Sequence, residues 1–149
     1  MKPEKIKQLN DIIKDYNQFK ESQLWRDIST VLKCGLDKAE QLADTHCNMV
    51  SFWACCKVKE LLNMSYADFF KECLTHNYCN ADGYIRIDKD DLLKHFGKHF
   101  ELNYIEDYNN ILNPENLNLD SLYQIKIKGH YMACYIENGA LKLSDTSKR

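Results

Sequence analysis

The stretch THCNMVSFWACCKVKELL, residues 45–62, decides the fold, because its apolar side chains are not confined to one face. Placed on a helix, the apolar residues from Met49 to Leu62 cover nearly the whole circumference. A helix that is apolar all round is usually buried all round. We therefore predict that this helix runs through the centre of the domain, with Asp44 or Thr45 as its N-cap.

Two amphipathic helices are predicted before this stretch. Apolar residues recur at steps of three and four between residues 4 and 20, which gives one stripe along a helix. A weaker pattern of the same kind spans residues 22–33, and Gly35 is expected to take the left-handed position at its end. We interpret residues 1–35 as an N-terminal helical extension within a single domain, residues 1–149. A lid, a dimer arm and simple packing all remain possible roles for it.

The chain changes from helical patterns to strand patterns in its second half. Further helices are predicted for residues 65–76, with Ser65 as the N-cap, and from about Asp88 onwards. The chain then carries three short runs rich in β-branched and aromatic residues: LYQIKIK (122–128), HYMACYIE (130–137) and ALKLSD (140–145). Asn138-Gly139 between the last two runs predicts a tight β-hairpin. Helices followed by an antiparallel sheet indicate an α+β fold, with the central helix packed on the sheet.

The composition excludes several classes of function. The chain has 149 residues, of which 44% are hydrophobic and 28% charged, as is typical of one globular domain. A net charge of -2 and the lack of a basic cluster with interleaved aromatic residues argue against nucleic-acid binding. No apolar run fits a membrane span or a signal peptide, so we expect no membrane insertion. Seven cysteines without regular spacing favour reduced thiols and a cytoplasmic location.

Cys47 differs from the other cysteines because it lies in the first turn of the predicted central helix. The free backbone N–H groups and the positive end of the helix dipole favour a thiolate there. The thiolate is the nucleophilic form of cysteine. Free cysteines are also among the most buried residues, so simple packing, as expected for Cys55 and Cys56, is the alternative for Cys47.

A nucleophilic thiol needs a base, and His130 at the start of a predicted strand is the candidate. His46 is a poor partner for Cys47, because adjacent residues on a helix do not face each other. With the hairpin turn between the last two strands, Asp145 falls within about two positions of the residue opposite His130. A carboxylate at that place can orient the imidazole, as in a catalytic triad.

Together these residues resemble the site of papain-like cysteine peptidases, and most closely the small bacterial branch that processes the leader peptides of bacteriocins. In that family a Gln lies six residues before the Cys, as Gln41 does before Cys47. The family His opens a strand, and a hairpin and an Asp follow about fifteen residues later, as in GHYMACYIENGALKLSD, residues 129–145. The similarity covers roughly residues 39–145. It departs from the family at Asn48-Met49, where a small residue or Pro usually follows the Cys.

The resemblance implies a papain-like α+β fold and thiol-dependent acyl transfer, by default the hydrolysis of a peptide or amide bond. It implies Cys47 as the nucleophile, His130 as general base and then acid, and Asp145 as the residue that holds the imidazole tautomer. Gln41 would donate a hydrogen bond to the oxyanion. The implied partner is a peptide or protein substrate, and no cofactor is implied. The alternative is a catalytically inactive papain-like module that binds a peptide or a partner protein. The oligomeric state is left open.

Two groups of histidines and cysteines are candidates for metal binding. Cys73, His76 and Cys79 follow at steps of three, but zinc would need a fourth ligand. His95 and His99 form an i, i+4 pair without the Glu of an HExxH motif. We expect ordinary packing for the first group, a solvated helix face for the second, and therefore no metal site.

The loop YCNADGYIRIDK, residues 78–89, resembles a calcium-binding loop only in its middle. Tyr78 and Lys89 stand where such a loop needs an acidic residue and a bidentate Glu. The sequence therefore predicts a turn at Asp82-Gly83 rather than a calcium site.

Overall fold

The computed structural model describes residues 1–17, 22–98, 103–105, 115 and 117–146. Within these ranges six helices precede a four-stranded sheet, which confirms the α+β class. The helices are α1 (Pro3–Asp15), α2 (Gln23–Leu32), α3 (Leu36–Ala43), α4 (Cys47–Val58), α5 (Tyr66–Thr75) and α6 (Lys89–His95). The strands are β1 (Asn103–Ile105), β2 (Tyr123–Ile127), β3 (His130–Glu137) and β4 (Ala140–Ser144). None of the described helices combines the length and the apolar character needed to cross a membrane.

Helix α4 is buried on every side, as its composition predicts. All of its residues except Asn48 and Lys57 are buried. Helices α1 and α5 and strands β2 and β3 pack around it. Trp53 holds its middle, because the indole N–H donates to the carbonyl of Met64 at 3.0 Å while the ring meets Tyr66 edge-on. Each fully buried large apolar side chain contributes about 1.5–3 kcal/mol to the hydrophobic stabilisation, so this helix is the main source of the core.

The two helices of the N-terminal extension belong to the same core as α4. Leu9 and Ile13 of α1, and Leu24 and Ile28 of α2, are buried in one cluster with the α4 side chains. Residues 18–20, the predicted end of the first helix, lie outside the described residues. The extension is therefore packed onto the domain through its apolar stripes.

Two predicted helix boundaries are wrong, and one is confirmed. His46, rather than Asp44 or Thr45, is the N-cap of α4, and the Thr45 hydroxyl donates to the carbonyl of Asp82 at 2.6 Å. The left-handed position after α2 is Lys33, whereas Gly35 is extended because it begins the following helix α3. The sequence pattern had not distinguished α3 as a helix. Ser65 caps α5 as predicted, since its side chain accepts a hydrogen bond from the Asp68 N–H.

The sheet has the strand order β1-β2-β3-β4. Strands β2, β3 and β4 are antiparallel, as predicted, whereas the short strand β1 pairs parallel to β2 and had no clear signal in the sequence. The predicted hairpin is confirmed. Glu137 pairs with Ala140, so that Asn138 and Gly139, with φ of 52° and 75°, form the two-residue turn between β3 and β4.

The predicted turn at Asp82-Gly83 lies against the start of α4. Gly83 has a φ of 79°, and a Cβ atom added to it would lie 2.8 Å from Cγ of His46. The glycine is therefore required both by its backbone conformation and by the close approach of the imidazole.

We predict that Gly83→Ala destabilises the fold more than Gly97→Ala. Both glycines have positive φ, so alanine costs about 1–2 kcal/mol in backbone strain at either place. No described residue has an atom within 4 Å of a Cβ at Gly97, whereas the Gly83 variant must also push His46 aside. We expect an additional loss of about 1–3 kcal/mol in the free energy of unfolding for Gly83→Ala, measured in urea. Equal losses would contradict the tight packing of the loop on His46.

Candidate active site

Cys47 lies where the first turn of α4 meets the start of strand β3. It is the first residue of the helix, and α4 packs directly on β3. The sulfur accepts hydrogen bonds from the backbone N–H groups of Asn48 and Tyr131. Two chain segments thus direct N–H groups at this one thiol, which is the environment that stabilises a thiolate.

The His130 imidazole lies between the Cys47 thiol and the Asp145 carboxylate. Its Nε2 is hydrogen-bonded to Oδ1 of Asp145, and the ring also forms a hydrogen bond with Cys47. Because Nε2 faces the carboxylate, Nδ1 is the ring nitrogen left for the sulfur. The structure therefore brings together three of the four residues singled out in the sequence.

The hairpin explains how Asp145 reaches the imidazole. The two-residue turn sets the register between β3 and β4, in which Ala133 is opposite Ser144. Asp145 follows the last paired residue of β4, so its side chain lies beside the start of β3, where His130 stands. The hairpin thus brings together two side chains that are fifteen residues apart in the sequence, and they form a hydrogen bond.

The pKa values of Cys47 and His130 are shifted in opposite directions. Burial raises the pKa of the Cys47 thiol, but the hydrogen bonds from His130, Tyr131 and Asn48 outweigh burial and bring it below the ordinary value of 9.0. The hydrogen bond to Asp145, followed by the one to Cys47, raises the pKa of His130 to about 9. These shifts favour transfer of the thiol proton to the imidazole, which yields a thiolate and an imidazolium ion.

The thiols of the core behave differently. Burial raises the pKa of Cys55 and of Cys134 to about 12, and it also raises the pKa of Cys56. These cysteines contribute packing, as predicted for Cys55 and Cys56, and their thiols remain protonated at neutral pH.

His46 is a structural residue and not the base for Cys47. It is fully buried, with Nδ1 at 2.6 Å from the Tyr66 hydroxyl and Nε2 at 2.9 Å from the carbonyl oxygen of Ala81. A carbonyl can only accept, so Nε2 carries the proton and Nδ1 accepts from Tyr66. Burial lowers the pKa of His46 to about 4. The neutral ring therefore attaches the turn at Asp82-Gly83 to the start of α4.

No hydrogen bond joins Gln41 to Cys47 in the described part of the chain. Gln41 lies on the exposed side of α3, and among the described residues its side chain forms no hydrogen bond. Its role as an oxyanion donor stays a prediction. The backbone N–H of Cys47 also meets no acceptor among the described residues, so it is free to donate to a substrate oxygen.

Gln124 is the residue of this site that the sequence reasoning missed. It is fully buried in β2, and its Nε2 donates to the Asn48 carbonyl at 2.9 Å and to the Ser51 hydroxyl at 2.8 Å. Its Oε1 accepts from Lys89 at 2.6 Å. This network holds the first turn of α4 in place beneath the thiol. The available signal was a single amide among the apolar residues of a buried strand, since a buried amide must have partners.

Comparisons of the chain with protein-family models, with curated proteins and with solved structures find no match. The chemistry of this site must therefore be inferred from its own geometry and electrostatics.

We predict that protonation of His46 destabilises the protein in acid. The folded-state pKa of about 4 lies below the ordinary 6.5, so between these values the unfolded chain binds a proton that the folded chain does not. Stability is therefore complete above pH 6.5 and falls by about 3 kcal/mol as the pH drops to 4. Urea denaturation at several pH values measures this slope.

His46→Asn is the matched variant for this prediction. It loses stability at every pH because the imidazole contacts are gone, but its stability should depend less on pH between 6.5 and 4. An unchanged slope in the variant would show that other groups cause the acid destabilisation.

Proposed function

We propose that this protein is a papain-like enzyme that transfers an acyl group through Cys47, with hydrolysis of a peptide or amide bond as the default reaction. The observation that supports this proposal is the His130 ring, hydrogen-bonded both to the Cys47 thiol and to the Asp145 carboxylate. A nucleophile, a base and an orienting carboxylate in direct contact are the parts that such chemistry requires.

In the first half of the proposed reaction, the Cys47 thiolate attacks the carbonyl carbon of the substrate. A C–S bond forms, and the π electrons of the carbonyl move onto its oxygen. The backbone N–H of Cys47 and the Gln41 amide would donate to this oxyanion. When the tetrahedral intermediate collapses, the C–N bond breaks and the imidazolium of His130 gives its proton to the departing amine. The product is a thioester on Cys47.

In the second half, neutral His130 takes a proton from water, and the resulting hydroxide attacks the thioester carbonyl. The C–S bond then breaks, and the acid leaves while Cys47 returns as a thiolate. The Asn48 and Tyr131 N–H groups stabilise this leaving thiolate, and Asp145 keeps the imidazole in the orientation that both halves need.

We predict that iodoacetamide alkylates Cys47 with a pH midpoint below 9.0, because its hydrogen bonds lower the thiol pKa. The measurement is made in a Cys34→Ser background, since Cys34 is the cysteine with intermediate exposure. Peptide mapping by mass spectrometry then follows Cys47 against the buried Cys55 and Cys134 as internal references. His130→Ala should move the Cys47 midpoint upward, because it removes both a hydrogen bond and a positive charge. The same midpoint in both proteins would contradict the activated pair.

We predict that the reaction with a peptidyl epoxide has a bell-shaped pH dependence. Opening of the epoxide needs the Cys47 thiolate and a proton from His130, so the rate should fall above pH about 9. Asp145→Asn keeps a hydrogen-bond acceptor but removes the charge, and should move this alkaline limit downward by about 1–2 pH units. Asp145→Ala also removes the acceptor and should lose more of the rate. An alkaline limit that stays near 9 in Asp145→Asn would contradict the assigned role of Asp145.

One observation favours the alternative of a catalytically inactive module. The side chains of the pair are little exposed, since Cys47 is 7% and His130 5% accessible. A peptide could therefore reach only a small part of either residue. If iodoacetamide labels Cys47 with a lowered midpoint but no electrophilic peptide reacts, the pair is intact and the module is a binding protein.

A further inference from the structure

Three side chains with metal-binding atoms meet at the surface between α5 and α6, away from the candidate active site. Oε1 of Glu72 lies 2.9 Å from Nε2 of His76 and 2.8 Å from Nε2 of His95. The three atoms all lie within 4.8 Å of one another. We propose that Glu72, His76 and His95 form a binding site for a zinc ion.

The two helices position the three groups. Glu72 and His76 are separated by one helical turn at the end of α5, so they share a face, and His95 is the last residue of α6. Spacing in the sequence groups His76 with Cys73 and Cys79, and His95 with His99. The structure buries Cys73 and Cys79, which contact each other instead, and His99 lies outside the described residues.

Tyr78 fixes the orientation of both histidine rings. Its hydroxyl lies 3.1 Å from Nδ1 of His95, which leaves Nε2 of that ring directed at Glu72. The Tyr78 ring also stacks on His76, with 5.5 Å between centroids and an angle of 20°. A metal-bound histidine typically makes a hydrogen bond through its second nitrogen, and Tyr78 provides that partner for His95.

The three ligand atoms are spread over up to 4.8 Å, so both the imidazole rings and the carboxylate must shift for zinc to bind. A tetrahedral zinc ion, bound at about 2.0–2.1 Å from nitrogen and oxygen, keeps its ligand atoms roughly 3.4 Å apart. The Glu72 oxygen is nearer than this to both nitrogens, so it would withdraw by about half an ångström as the ion enters. The carboxylate is 41% exposed and is therefore free to make this movement.

The ligand types select the class of metal. Two imidazole nitrogens with one carboxylate suit zinc and its first-row neighbours, whereas calcium and magnesium prefer oxygen ligands throughout. Among the described residues the cluster has three such members. Water would complete the coordination at the exposed side, as in zinc sites with three protein ligands. The bound ion would connect the end of α5 to the end of α6.

The proposal is tested by titrating the intact protein with Co²⁺, which reports its ligands by visible absorption, and then displacing it with Zn²⁺. We expect one ion per chain with nitrogen and oxygen ligands, and a higher melting temperature in Zn²⁺. His95→Ala should abolish both effects. Tyr78→Phe should weaken binding by about 10–100-fold, because it loosens the orientation of His95.

Thr75→Ala is the matched control, because Thr75 is exposed on the same helix end and, within the described residues, its hydroxyl bonds only to the Lys71 carbonyl. This variant should bind Co²⁺ and Zn²⁺ with the same affinity as the unmodified protein. Glu72→Gln keeps the size of the side chain but removes its charge, so weakened binding by this folded variant supports the site even if His95→Ala is unstable. Binding that persists in Glu72→Gln and His95→Ala, or a thiolate-to-cobalt charge-transfer band, would place the ion elsewhere and overturn the proposal.

Discussion

The complete burial of helix α4 is the constraint on which the rest of the structure depends. Because its side chains point into neighbours in every direction, α1, α5 and the sheet must all be arranged around it. Its first turn then ends at the start of β3, where the backbone N–H of Tyr131 meets the sulfur of Cys47. The buried amide of Gln124, joined to Lys89, fixes that turn. The Cys47 thiol is thus held by the core itself and not by a surface loop.

Local patterns were sufficient for the features that depend on local physics. Periodicity predicted α4 and the N-terminal helices, and Asn138-Gly139 predicted the hairpin, because a two-residue turn with positive φ admits few other residues. The N-cap of α4 was not predictable in this way. Thr45 has a hydroxyl suited to capping, but in the folded chain this hydroxyl donates to the carbonyl of Asp82, 37 residues away. The parallel pairing of β1 with β2 also depends on a long connection, for which the sequence carries no local signal.

The residues of the candidate site also differ in whether local sequence or long-range contacts determine their positions. His130 and Asp145 could be paired from the sequence, since the hairpin turn sets which residues of two adjacent strands face each other. Gln124 could not, because its partners lie 35 and 76 residues away and the contacts exist only once α4, α6 and β2 have packed. The same is true of Glu72 and His95, which are 23 residues apart and belong to different helices. Polar groups that are distant in sequence and meet only in the folded chain can be identified as partners only from the structure.

The hairpin between β3 and β4 determines where Asp145 lies relative to His130. Side chains alternate between the two faces of a strand, so a slip of one residue in the pairing of β3 with β4 would turn Asp145 to the face opposite His130. The hydrogen bond between the two side chains therefore depends on this register and on the number of residues that separate each of them from the paired residues Ala133 and Ser144. In any descendant of this chain that keeps the same pairing, changes of length should be found in the turn, whereas the residues from His130 to Ala133 and from Ser144 to Asp145 should stay constant in number.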